Sequence, residues 1–144
     1  MRIAFEEAEA AASRGEVPVG AVVMDKAGNV LARAGNRTLE RKDPTAHAEL
    51  LAIREAAQAI GSERLINCDL YVTLEPCAMC AAAIAAARIA RVVYGAADPK
   101  SGGVAHGARV FSHPQAHHVP EVIDGIGAAE AGALLTAFFE ARRS

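Results

Sequence analysis

Cys77 and Cys80 stand three residues apart, directly after a strand-like run and Pro76 and at the start of an Ala-rich helical run. That spacing points both sulfurs off the first turn of one helix, where unpaired N–H groups and the helix dipole favour negative charge. Thiolate is the form a metal binds. His47 opens the other strongly helical segment, behind a Thr45 placed to cap it, and supplies a third ligand. A structural zinc site usually closes on four protein ligands, whereas a catalytic one leaves a tetrahedral position for water. Glu49, two residues beyond His47, can reach that position from the helix start. A carboxylate there takes a proton from water and delivers it to substrate. Glu49 is therefore the candidate catalytic residue, and His47, Cys77 and Cys80 are the candidate zinc ligands.

Two other readings of these residues stay open. Cys-x-x-Cys in an α/β chain also serves as a dithiol redox pair. A structural zinc site would instead close on a fourth ligand, drawn from Cys68, His106, His113, His117 or His118.

His-x-Glu followed by Pro-Cys-x-x-Cys resembles the signature already described for the zinc-dependent cytidine and deoxycytidylate deaminase superfamily. Within it, the chain resembles the bacterial branch that deaminates adenosine in tRNA. The similarity is carried by residues 16–22, Gly35-Asn36-Arg37, residues 43–49 and 70–80, Gly95-Ala96, Asp98-Pro99-Lys100, Leu134-Leu135 and Phe138-Phe139. It implies hydrolytic conversion of adenosine to inosine at the first (wobble) anticodon position, with one Zn2+ per chain, a tRNA anticodon stem-loop as substrate, and a homodimer. It also implies substrate-binding positions. Asn36 reads the base, since its amide both donates and accepts; Asp98 contacts backbone or sugar; Val19 contacts the substrate; Ala48 and Pro76 contribute backbone positioning near the metal; and Phe139 or its neighbour Phe138 lines the pocket from the C-terminal helix. The same motif pair serves deaminases of free bases, nucleosides and nucleotides. Outside the enzymes, the alternative is a zinc-stabilised RNA-binding module, against which Glu49 and the count of three ligands argue.

The elements that must position these groups fit one domain over residues 1–144, large enough to bury a core without staples. Apolar residues are 52% of it and aromatics only 4%, so the interior is aliphatic and Ala-rich. With two of three cysteines given to metal and neither a secretory signal nor a membrane span in view, the expected location is the cytoplasm. A net charge of -2 argues against a grip on nucleic acid by bulk electrostatics. It leaves local clusters at Arg37, Arg41 and Lys42, at Lys100, and at Arg142 with Arg143.

Hydrophobic spacing predicts a helix over 2–14, an antiparallel hairpin of strands 17–25 and 30–35, a polar loop over 37–44 and a helix over 46–60 stopped by Gly61. There follow a strand over 68–75, a helix over 78–88 apolar enough to be buried on several sides, and a strand over 92–95 parallel to the one before. A Gly-rich loop over 96–107 should flank the site mouth. An irregular stretch, a strand over 119–123 and a C-terminal helix over 127–142 complete the order. The expected fold is α/β, a three-layer α/β/α sandwich with a central mixed sheet of about five strands, cytidine deaminase-like.

Overall fold

The Ala-rich segment after Met1 forms α1 (Arg2–Ser13), which buries Ala4, Phe5, Ala8 and Ala11 at helical spacing. In the computed structural model, which describes residues 1–143, this helix lies on a five-stranded sheet. Ser144 and the Arg143 side chain lie outside that description. The strands are β1 (Gly20–Met24), β2 (Val30–Gly35), β3 (Asp69–Leu74), β4 (Arg91–Ala96) and β5 (Glu121–Ile123). Their order is β2-β1-β3-β4-β5. β1 pairs antiparallel with β2 and β3, whereas β3–β4 and β4–β5 are parallel, so the sheet is mixed as expected.

Alternation along the strands sorts their side chains onto two faces. Ala21, Val23, Ala32, Ala34, Leu70, Val72, Val92 and Tyr94 join one buried cluster with Leu51, Ala52 and Ala56 of α3 (Ala48–Ile60) and Ala81, Ile84 and Ala85 of α4 (Ala78–Ala86). Leu70 and Val72 are completely buried, each stabilising the fold by about 1.5–3 kcal/mol. The opposite face is covered by α1 and by α5 (Ala128–Arg143), which also touch each other. Helices on both faces of the sheet make the three layers. Gly20 and Gly35 are register partners beneath α1, where a methyl group at Gly20 would overlap Ala4 O and one at Gly35 would meet Glu7 O. The missing side chains let helix backbone rest on strand backbone.

Several boundaries differ from expectation. β1 begins at Gly20 rather than at residue 17, because Val19 N–H turns back to Val17 O around Pro18. The polar loop over 37–44 contains one helical turn, α2 (Thr38–Arg41). Too short to show periodicity, it is held by the buried Glu16 carboxylate, which accepts Leu39 N–H at 3.1 Å and Glu40 N–H at 2.9 Å. Thr45 does not cap α3; its N–H and hydroxyl both go to Asp43 Oδ1, and His47 is the N-cap. α4 is buried on one side only, with Ala78, Met79, Ala82 and Ala86 forming an exposed apolar stripe. Among the described residues, no helix is long and apolar enough to cross a membrane.

Candidate active site

His47 and Cys77 occupy equivalent places, as N-cap residues of α3 and α4 with extended backbone. Each carbonyl accepts the first bond of its helix, from Leu51 N–H at 3.0 Å and Ala81 N–H at 2.8 Å. Both side chains therefore stand over a helix N-terminus, where partial positive charge favours thiolate. Cys80 sits one turn into α4, fully buried. His47 Nδ1 is 3.6 Å from Cys77 Sγ and 3.5 Å from Cys80 Sγ, and the three ligand atoms lie within 4.8 Å of one another. Tetrahedral zinc, with bonds of about 2.0 Å to nitrogen and 2.3 Å to sulfur, separates such atoms by about 3.5 Å. The donor set fits one zinc ion.

The electrostatics agree. The Cys80 thiol, helped by the His47 imidazole, draws the Cys77 thiol down to about 4. Cys77 in turn pushes Cys80 up and holds His47 above its ordinary value. Sulfurs this close retain a proton between them until a cation displaces it. None of the candidate fourth ligands joins the group. His106 Nδ1 is engaged by Glu75, His118 Nε2 by Ile89 O, His113 Nδ1 by Gln115 N–H, and Cys68 is buried near Ile66 O.

Glu49 is 4% exposed on the first turn of α3, and burial pushes its carboxyl up to about 7. A group poised there can both take and release a proton near neutrality. Val19, Asn36, His47, Glu49, Cys77 and Asp98 share the wall of one cavity of about 230 Å3. Two of the three ligand residues and a buried carboxylate thus face one cavity, with Cys80 buried behind them.

The family model for the cytidine and deoxycytidylate deaminase zinc-binding region matches residues 1–96. A tRNA-specific adenosine deaminase of Agrobacterium fabrum is 55% identical over 144 residues, covering 99% of this chain and 93% of that one. The chain belongs to the tRNA-specific adenosine deaminase family. A solved structure from a study of A-to-I editing by tRNA:A34 deaminases at the wobble position matches this deaminase with a TM-score of 0.92 at 55% identity, covering 94% of this chain and 97% of that one. A guanine deaminase from Bacillus subtilis matches less well, with a TM-score of 0.67 at 29% identity, over 99% of this chain and 91% of that one.

Around the triad, Asn36 does more than line the cavity of this deaminase. Its Oδ1 accepts Ala48 N–H at 2.8 Å and its Nδ2 donates to Val17 O at 3.2 Å, leaving one N–H and one lone pair for a ligand. Asp98 closes a turn by accepting Ser101 N–H at 3.0 Å. Ala48 and Pro76 are buried beside the cavity and are not part of its wall. Phe139 lies farther out, lining a second space of about 520 Å3 with Leu135, Ala97 and Lys100; Val17, Leu74, Asp98 and Ser101 border both spaces. Phe138 instead packs edge-to-face on Phe139, with the Arg142 guanidinium 3.9 Å over its ring.

The basic cluster before α3 borders a separate groove lined by Arg33, Arg37, Arg41 and Arg54. Its charge is offset by Glu7 and Glu55 in the same wall and by the Arg37–Glu40 ion pair. Two buried carboxylates, Glu16 and Glu75, hold the cavity rim and were not singled out by motif reasoning. Their partners are distant in sequence, so only their burial in the fold reveals them.

Proposed function

We propose that this chain converts adenosine to inosine at the first anticodon position of a tRNA, as one deaminase domain acting in the cytoplasm. The observation that carries the reading is the His47–Cys77–Cys80 group at a cavity whose wall includes His47, Cys77 and the buried Glu49. His47, Cys77 and Cys80 hold the ion. When bound, zinc supplies the Lewis acidity that makes water a usable nucleophile at neutral pH. Glu49 would take one proton from the water and pass it to a ring nitrogen, so that the remaining hydroxyl adds to the carbon bearing the amino group; it would then take the second proton, from the new C–OH group, and deliver it to the amine as the C–N bond breaks. Inosine and ammonia are the products.

The remaining N–H and lone pair of Asn36 meet the purine edge, while Val19 packs against the ring. Ala48 and Pro76 fix the backbone on either side of the metal ligands. Asp98 contacts sugar or backbone, and Phe139 receives a neighbouring nucleotide in the outer space, where stacking tolerates any base. A flexible anticodon loop lets the target base leave its stack at little cost. The exposed stripe of Ala78, Met79, Ala82 and Ala86 is the face a second copy would cover in a homodimer.

The deciding experiment incubates zinc-loaded protein with an anticodon stem-loop carrying adenosine at its first anticodon position and, in parallel, with guanine, cytidine and deoxycytidylate. Inosine in the stem-loop with matching ammonia is expected. Ammonia from a free base or nucleoside, with the stem-loop untouched, would overturn the substrate while keeping the chemistry.

A further inference from the structure

Glu75 directly follows β3, immediately precedes Pro76 and Cys77 and borders the inner cavity, and its carboxylate is taken up by the loop after β4. Its side chain has no exposed surface. Oε1 accepts Asp98 N–H at 3.1 Å and His106 Nδ1–H at 2.8 Å. Oε2 accepts Val104 N–H at 3.1 Å, Ala105 N–H at 3.0 Å and His106 N–H at 3.1 Å. Five donors converge on one carboxylate.

The loop wraps this group closely. A Cβ at Gly102 would overlap Glu75 Oε2, and one at Gly103 would overlap Ala78 N at the start of α4. Gly103 N–H donates to Pro76 O at 2.8 Å, so the same turn is tied to the residue before Cys77. Asp98 and Ser101 of this loop line both the inner cavity and the outer space, and Lys100 lines the outer one.

We propose that Glu75 is a positioning residue for the nucleic-acid substrate. Its carboxylate fixes the 98–106 loop as the rim that receives the nucleotides flanking the target base, and takes no part in proton transfer or metal binding. The inference rests on the deaminase reading above. A glutamine cannot do this at the same place. An amide presents one acceptor and one NH2, so Glu75→Gln leaves either three N–H groups facing a donor at the Oε2 position or two donors facing one at Oε1.

The test uses zinc-loaded protein and two variants, Glu75→Gln and Gly102→Ala. The second keeps the carboxylate but drives a methyl group against Oε2, and it remains informative where the first does not fold. Four quantities are measured: zinc per chain, kcat and KM on the anticodon stem-loop, and amide hydrogen exchange at residues 98 and 104–106. Expected are unchanged zinc, kcat within about twofold, KM raised about tenfold, and exchange at residues 104–106 faster by about tenfold or more.

Loss of zinc or of kcat with KM unchanged would show that Glu75 serves the metal segment, and would overturn the proposal. So would faster exchange with an unchanged KM, or unchanged exchange in a folded variant. If the unmodified protein leaves the stem-loop untouched, the substrate assignment fails by itself, and exchange at 104–106 still decides whether Glu75 holds the rim.

Discussion

The side-chain oxygen of Asn36 accepts the backbone N–H of Ala48 at 2.8 Å, which ties the end of β2 to the first turn of the helix carrying Glu49. His47, the N-cap of that helix, has no side-chain cap bond, so Asn36 supplies from a distance the acceptor that a local Ser or Asp would give. Replacing Asn36 by Ala should cost about 1–2 kcal/mol of stability, read from urea denaturation of the metal-free protein. Asn36→Asp keeps the acceptor and should recover most of that loss while still weakening turnover. Equal destabilisation by both variants would show that the bond to Ala48 is not what matters.

Glu49 and the ligand residues should separate cleanly in a zinc assay. Glu49→Gln should retain one zinc per chain and lose turnover by about 10²–10⁴-fold, since it removes the one proton carrier proposed at the cavity. Cys77→Ser and His47→Ala should instead lose zinc, and with it the rise in Tm that zinc gives the unmodified protein. A Glu49→Gln protein with normal turnover would refute the role given to the carboxylate.

Glu16 sets an acid limit on stability. Burial alone would raise its carboxyl, but the N–H groups of Glu40 and Leu39, the Thr38 hydroxyl and Arg14 hold it below its ordinary value of 4.5. A carboxylate depressed on folding stabilises the fold above its unfolded pKa, and that contribution disappears as pH falls through the folded value. Glu16→Gln should therefore be less stable than the unmodified protein at about pH 7, with the gap closing as pH drops below 4.5. Denaturation midpoints across that range provide the check; a gap independent of pH would exclude the mechanism.

The metal group was legible because each half is local. Cys77 and Cys80 share one helical turn, and His47 with Glu49 another, so spacing alone aimed them. The helices and the central strands followed from apolar periodicity. What could not be read was whatever depends on contacts between distant segments. α2 exists because Glu16 caps it from 22 to 24 residues away, and Thr45 lost its expected cap role to Asp43. Glu75 looked like the last residue of a strand, since its donors lie 23 to 31 residues downstream. The exposed side of α4 was equally hidden, because an all-apolar helix has no polar face to announce it.

Because β3 and β4 run in the same direction, with Leu74 beside Ala96, the segments that leave them emerge at one edge of the sheet. One delivers an anchor for the ion, the other a margin around it. Exchanges in the margin can alter what reaches the ion while the anchor and the layers beneath it stay in place. The two segments are pinned together where the Glu75 carboxylate meets the loop and where Gly103 N–H meets Pro76 O, so any such exchange has to spare both ties.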